Sequence, residues 1–215
     1  MKIKKILFYL LAGILGGCVP VMSLHPLFTE EKLVFENKLL GKWMDDPNSP
    51  KSTWEFKRIE DSKQKDGELN PPKKPEKAYK LILLNNEDNT KGSFYAHLVK
   101  LENRLFLDVH PSRIPCAEPD PNEDWLLNTF FLIPGHSFVI IDSIEPQLKM
   151  RWTNQEELKK LLKEKPDAVK HELVEDGIIL TASTEQLQQF VLKYADDERV
   201  FSEETTLTRS KTSTK

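Results

Sequence analysis

Apolar and polar residues alternate over short stretches after residue 39, and turn-forming residues separate these stretches. A period of two places successive side chains on opposite faces of a β-strand, so the pattern predicts strands. The predicted strands cover residues 41–44, 52–57, 79–84, 94–109 as a hairpin, 130–133, 138–141, 148–152, 177–182 and 205–209. This many short strands in one domain favour a mainly β fold, either an antiparallel barrel or a strongly curved sheet of about eight strands.

The clearest of these elements is the hairpin at 94–109, predicted to turn at Glu102-Asn103 because asparagine tolerates the positive φ of a tight turn. A two-residue turn fixes the register, so the side chains divide between two faces. The face predicted to point to the core carries Phe94, Ala96, Leu98, Leu105, Leu107 and Val109. The opposite face carries Tyr95, His97, Val99, Phe106, Asp108 and His110, with His97 opposite Asp108 and Tyr95 opposite His110.

Two helices are predicted near the C-terminus, each with its own start signal. Asn154 is a predicted N-cap with Glu157 in the reciprocal position, and Pro166 stops this helix. Ser183 and Gln186 make the same arrangement at the start of the second helix. Apolar residues at helical spacing predict the faces that dock on the sheet, which are Leu158, Leu161 and Leu162 in the first helix and Leu187, Phe190, Val191 and Tyr194 in the second.

The N-terminus has the layout of a secretory signal peptide over residues 1–17. Three lysines within the first five residues precede an apolar run that is too short to span a bilayer comfortably. The next residues, Leu15-Gly16-Gly17-Cys18, resemble the lipobox of bacterial lipoproteins. This resemblance implies diacylglyceryl transfer to the Cys18 sulfur, cleavage before Cys18, and acylation of the new amino group with a chain such as palmitate. More than one acyl chain gives lasting membrane attachment.

Removal of the signal peptide changes the composition of the chain. The 17 residues carry three of the 31 basic residues and none of the 34 acidic ones, which leaves 198 residues with a net charge of −6. An acidic domain argues against nucleic acid as a partner. Cys116 is then the only unmodified cysteine, so an intramolecular disulfide and a metal site built on paired cysteines are excluded.

The mature chain is predicted to divide into a lipidated tether and lead-in at 18–38, one β-rich domain at 39–209 and a tail at 210–215. Within the lead-in, His25-Pro26-Leu27-Phe28-Thr29 resembles the post-lipobox segment of a group of uncharacterised bacterial lipoproteins. For a host with two membranes, Val19 favours the periplasmic face of the outer membrane, because lipoproteins retained in the inner membrane usually carry Asp at that position.

Leu40-Gly41-Lys42-Trp43 resembles the Gly-x-Trp signature on the first strand of lipocalin-type barrels. The resemblance implies a lipocalin-like barrel in which an arginine from the end of the barrel packs across the tryptophan. Arg209 is the residue of this chain that can do so. We therefore expect Trp43 to be buried, with Arg209 or another cation over its ring.

Tyr95, His97, Asp108 and His110 form the best candidate polar cluster, and two interpretations of it are open. A His–Asp pair can orient an imidazole for proton transfer or metal binding, whereas cross-strand contacts on a solvated face are only structural. We expect the structural case, in which His97→Gln changes the free energy of unfolding by about 0.2–1 kcal/mol. The histidines, at positions 25, 97, 110, 136 and 171, lack metal-ligand spacing, so neither a metal site nor a cofactor is predicted.

Three functions from different classes fit this sequence. The first is a non-catalytic interaction module of the cell envelope, with the predicted loops 61–77 and 112–128, the latter containing Cys116 and Trp125, as its contact surface. The second is a lipocalin-like binder of an apolar or amphiphilic ligand. The third is a hydrolase that uses His97, Asp108 and His110, although the chain has none of the common catalytic motifs. We expect the first, with the membrane and an envelope protein as partners and no enzymatic activity.

Overall fold

Strands and two helices make up most of the residues that a computed structural model describes, which are 21–59, 71–112, 133–174 and 177–210. In chain order the strands are β1 (Met22–Ser23), β2 (Leu33–Val34), β3 (Gly41–Met44), β4 (Ser52–Arg58), β5 (Ala78–Asn85), β6 (Thr90–Leu101), β7 (Arg104–Pro111), β8 (Ser137–Ser143), β9 (Gln147–Thr153), β10 (His171–Val174), β11 (Gly177–Leu180) and β12 (Phe201–Arg209). The helices are α1 (Gln155–Glu164) and α2 (Thr184–Lys193). Several predicted features lie outside the described residues, namely the signal peptide at 1–17, Cys18, most of the loop 61–77, Cys116, Trp125, the strand at 130–133 apart from its last residue, and the tail after Ser210.

Eight antiparallel strands close into a lipocalin-like barrel. Strands β3 to β9 pair in succession, and β12 pairs with β9 on one side and with β3 on the other. The hairpin between β6 and β7 turns where the sequence predicts, but the positive φ, 53°, is at Glu102 and not at Asn103. The predicted fold class, a mainly β barrel with two helices near the C-terminus, is confirmed.

Alternate side chains of the barrel strands point inward and pack into one apolar cluster. This alternation is clear in β5, where buried positions are separated by partly exposed ones. The cluster contains Leu39, which precedes β3, and the inward strand residues Trp43, Trp54, Phe56, Tyr79, Leu81, Leu98, Leu107, Val139, Leu148, Met150, Trp152 and Leu207. Aromatic rings meet across the interior, since the Trp54 and Trp152 centroids are 5.8 Å apart.

Trp43 has the environment that the lipocalin-like motif predicts. Its side chain is fully buried, and its indole N–H donates to the Leu39 carbonyl at 2.9 Å. The Arg209 guanidinium lies 4.2 Å from the ring centroid, which is a cation–π geometry. The same guanidinium donates to the carbonyl oxygens of Leu40 and Lys38, so it also ties β12 to the residues just before β3.

A second layer covers the outer face of β6, β7 and β8. It consists of the two helices and a three-stranded sheet in which β11 lies between β1 and β10. Both predicted N-caps are present, because Asn154 accepts from the Glu157 N–H and Ser183 forms a reciprocal capping box with Gln186. The return contact predicted from Glu157 to Asn154 is not made, since the Asn154 N–H donates to the Val200 carbonyl at 3.0 Å. The apolar cluster between the layers contains the residues predicted to dock, Leu158, Leu161, Leu162, Leu187, Phe190, Val191 and Tyr194, together with Val99, Phe106, Phe138 and Ile140 of the barrel.

The described part of the lead-in is divided between the two layers, with β1 in the three-stranded sheet and β2 at the edge of the barrel sheet. The sequence predicts a tether and lead-in at 18–38, yet Val21, Leu27 and Leu33 are buried. β1 pairs in parallel with β11, and β2 pairs antiparallel with β6. Two-residue strands give no periodic signal, and their partners are distant in sequence, so the pattern of the chain does not reveal them. The folded domain therefore extends at least to Val21.

Candidate functional site

The candidate polar cluster lies on the outer face of the barrel, on the hairpin of β6 and β7. The register is the one that the two-residue turn predicts, with His97 opposite Asp108 and Tyr95 opposite His110. The Tyr95 and His110 rings are 5.8 Å apart, and the His97 and His110 rings are nearly parallel at 5.4 Å. The strand pairing thus brings all four predicted residues together.

His136, just before β8, joins the cluster although the hairpin pattern does not predict it. β7 and β8 pair as far as Val109 and Ser137, so the next pair in this register is His110 with His136. Their ring centroids are 4.8 Å apart. His136 Nδ1 lies 2.7 Å from Asp108 Oδ1. The carboxylate therefore bonds the histidine that immediately precedes the following strand, diagonally across the sheet.

The expectation that this face is solvated is wrong. His97 is 2% exposed, Asp108 is 0% exposed, and Tyr95 and His110 are also buried. Part of the cover is Phe28 of the lead-in, whose ring stacks on His97 with the centroids 4.1 Å apart. Alternation along a hairpin shows which residues share a face, but it does not show what packs against that face. The small energy assigned to an exposed pair does not apply to buried groups.

The lead-in also fixes the Asp108 carboxylate. The Leu27 N–H donates to Asp108 Oδ2 at 2.7 Å. Helix α2 holds the lead-in in turn, because the Thr184 hydroxyl donates to the Pro26 carbonyl and the Gln188 amide donates to the Leu27 carbonyl, both at 2.8 Å. One carboxylate oxygen is therefore held by a backbone N–H while the other contacts His136.

Burial lowers the pKa of His97 from 6.5 to about 4. The Asp108 carboxylate opposes this shift, whereas His110 and His136 add to the lowering. His97 is therefore neutral at pH 7. Its Nδ1 is buried and has no hydrogen-bond partner within the described part of the chain.

The arrangement has the donor atoms for metal binding. Asp108, His110 and His136 each offer one ligand atom, and these three atoms all lie within 4.8 Å of one another. Catalysis by the nearest serine in sequence has less support. Ser137 follows His136, but its hydroxyl donates to the Val21 carbonyl at 3.2 Å instead of to a histidine.

A separate groove of about 390 Å³ lies between α2 and the segment around Pro166. Its volume is in the range of small-molecule sites. Its lining includes Asp167, Lys170, Gln186 and Lys193. These side chains alternate with Pro166, Ala168, Val169 and Phe190, so the groove lacks the continuous apolar lining that a lipocalin-like ligand requires.

Sequence reasoning misses His136 because the long segment between β7 and β8 gives no register for the second strand. The sequence does, however, contain a signal that the cluster is buried. Val99 and Phe106 lie on the same face as the polar residues, and apolar residues at those positions indicate a covered face. This signal predicts burial but not the identity of the cover.

Comparisons of the chain with protein-family models, with curated proteins and with solved structures gave no match. Among the described residues, no helix combines the length and the apolar character needed to cross a membrane. The case for a function therefore rests on the sequence features and the geometry described above.

Proposed function

We propose that this protein is a non-catalytic interaction module of the bacterial cell envelope. The signal-like segment 1–17 supports export, and the lipobox-like sequence ending at Cys18 supports a lipid anchor. In a host with two membranes, Val19 favours the periplasmic face of the outer membrane. The observation that carries the interaction role is the exposed edge of β10.

Strand β10 is an edge strand with two exposed aliphatic side chains. Within the described ranges its only strand partner is β11. Leu173 is 49% exposed and Val174 is 45% exposed. A strand edge offers backbone N–H and C=O groups to an added strand, and neighbouring aliphatic side chains supply apolar contact. An extended segment of an envelope protein suits this surface.

The register brings this edge close to the proposed anchor. Met22 pairs with Ile179, which in turn pairs with Glu172 of β10. Cys18 precedes Met22 by four residues, and four extended residues span at most about 14 Å. A lipid on Cys18 therefore keeps β10 near the membrane surface, within reach of a partner in the same membrane.

Ligand binding inside the barrel has less support. Trp43, Trp54 and Phe56 are buried in the interior. A ligand that enters this part of the barrel must displace large aromatic side chains and lose their packing energy. The interaction module requires no such rearrangement.

Cys18→Ala should abolish acyl labelling and leave either uncleaved precursor or protein released from the membrane. The substitution removes the sulfur that accepts the diacylglyceryl group. Metabolic labelling with a palmitate analogue, followed by membrane fractionation, measures both effects. Cys116→Ala is the matched control and should keep the label. The same lipidated mature band from the Cys18→Ala variant would exclude the lipid anchor.

Charge on the β10 edge should weaken the contact with the envelope partner. In chemically cross-linked cells, the variant Leu173→Lys/Val174→Lys should capture about tenfold less partner than the unmodified protein, since a loss of 1.4 kcal/mol is tenfold in affinity. Both positions are exposed, so thermal unfolding of the purified variant should be unchanged.

Ile133→Lys is the control for this experiment, because Ile133 is 70% exposed and lies outside β10. It should capture the same partner in the same amount as the unmodified protein. If the two variants capture equal amounts, β10 is not the contact surface, even where Cys18 is shown to carry the lipid.

A further inference from the structure

The ligand atoms of the histidine–aspartate cluster are set by the pairing of two rigid strands. Asp108 and His110 lie two residues apart on β7, so both side chains point to the outer face. His136 meets them from the segment just before β8, and its backbone N–H and C=O both bond Ser23. The backbone on each side of the cluster is therefore fixed, and little reorganisation is needed to bring the three ligand atoms to one ion.

The Asp108 carboxylate has the orientation that metal ligands commonly have. The Leu27 N–H holds Oδ2, while Oδ1 lies against His136 Nδ1. Hydrogen bonds of this kind orient a ligating carboxylate and tune its affinity for a metal. The 2.7 Å between Asp108 Oδ1 and His136 Nδ1 is shorter than the separation of about 3.3 Å between ligands of a tetrahedral zinc ion. A small side-chain rotation that opens this hydrogen bond makes room for the ion.

A buried polar atom without a partner among the described residues lies beside the three candidate ligands, although its residue, His97, is not one of them. His97 stacks within 5.4 Å of the His110 ring, and its buried Nδ1 has no hydrogen-bond partner in the described residues. Buried polar atoms of native proteins are satisfied with few exceptions, and an exception needs an explanation such as an ion or ordered water. The covered face therefore holds a polar atom, unsatisfied within the described part of the chain, directly beside the His110 ring.

We propose that Asp108, His110 and His136 bind one divalent transition-metal ion of the zinc type. Imidazole nitrogen and carboxylate oxygen are the donors that Zn²⁺ accepts, and three protein ligands leave the fourth position of a tetrahedral ion open. A neutral imidazole carries one ring proton, so a metal bound at His136 Nδ1 would leave that proton on Nε2 and take its place beside Asp108 Oδ1. The His136 side chain is 14% exposed, so the ion enters on that side.

Titration of the tag-free, full-length protein with Co²⁺, after treatment with a chelator, tests the site. We expect one ion per chain, with the visible absorption of four-coordinate Co²⁺, and displacement of Co²⁺ by Zn²⁺. Zn²⁺ should also raise the midpoint of thermal unfolding, because it binds only the folded cluster. A chain that shows neither the Co²⁺ spectrum nor the shift with Zn²⁺ would overturn the proposal.

Two histidine variants locate the site. His136→Gln should weaken Co²⁺ binding by more than about 100-fold. The loss of only a hydrogen bond to a metal ligand already lowers metal affinity by about 10–100-fold, and this variant loses the ligand itself. His171→Gln is the matched control, because His171 lies in β10 and its Nδ1 contacts the Val169 carbonyl. It should bind Co²⁺ like the unmodified protein. His136 is partly exposed, so its variant should fold without metal, and a Tm measured in chelator checks this.

Equal Co²⁺ affinity in His136→Gln and the unmodified protein would place any bound ion elsewhere and refute the site. The measurement uses purified protein and does not depend on the anchor or on β10. A negative result for metal binding therefore does not bear on the proposed interaction role of β10. A negative result for β10 likewise does not bear on metal binding.

Discussion

Trp43→Ala should lower the free energy of unfolding by about 3–5 kcal/mol, the range of buried aromatic residues replaced by alanine. The substitution removes a fully buried indole from the barrel and leaves a cavity. It also removes the hydrogen bond to the Leu39 carbonyl and the surface against which the Arg209 guanidinium lies. Urea denaturation followed by far-UV circular dichroism measures the loss.

Arg209→Gln provides the comparison for this variant. It keeps the indole in place but loses the cation–π contact, which is worth about 0.5–2 kcal/mol, and the hydrogen bonds to Leu40 and Lys38. The loss should therefore be smaller than that of Trp43→Ala. A Trp43→Ala protein within about 1 kcal/mol of the unmodified protein would show that Trp43 does not hold the barrel together.

Acidification from pH 6.5 to pH 4 should lower the free energy of unfolding by about 3 kcal/mol through His97 alone. Burial lowers the pKa of His97 to about 4 in the folded protein, whereas an unfolded chain binds this proton near pH 6.5. Between these values the unfolded state binds more protons than the folded state, so stability falls as the pH falls. Below about pH 4 both states are protonated and the loss from this group is complete.

The measurement is a series of urea denaturation curves between pH 4 and pH 7 in the presence of a chelator. His97→Gln should flatten the dependence on pH, whereas His171→Gln should leave it unchanged. Asp108, His110 and His136 face His97, and both variants keep these three residues. The difference between the variants in the pH dependence of the free energy of unfolding therefore measures the contribution of His97. Equal slopes would mean that His97 titrates with an ordinary pKa.

Local sequence patterns predict much of the fold because their causes are local. The hairpin register follows from the length of one turn, and the helix starts follow from a side chain that accepts a hydrogen bond three residues ahead. The Trp43–Arg209 contact is long-range, yet the sequence predicts it because the Gly-x-Trp resemblance supplies the pairing. In each case one residue or one short motif is enough to determine the geometry.

The surroundings of the candidate site could not be predicted in the same way. The burial of His97 and Asp108 depends on Phe28 and Leu27, which precede the hairpin by more than sixty residues and are held in place by α2. His136 reaches Asp108 only through the pairing of β8 with β7. No local rule relates such segments, so the sequence reveals the hairpin residues but neither their cover nor their third histidine.

The order of the strands also sets the order in which the protein can fold. The pairing of β3 with its second neighbour, β12, forms late, because residues 154–200 separate β9 from that last strand. Such distant pairings form slowly, since loop-closure entropy is lost before the contacts are gained. A chain cut before residue 201 would keep seven barrel strands with two open edges, on β3 and β9, and open edges favour aggregation. Premature termination or proteolysis in this region should therefore yield insoluble protein instead of a smaller working domain.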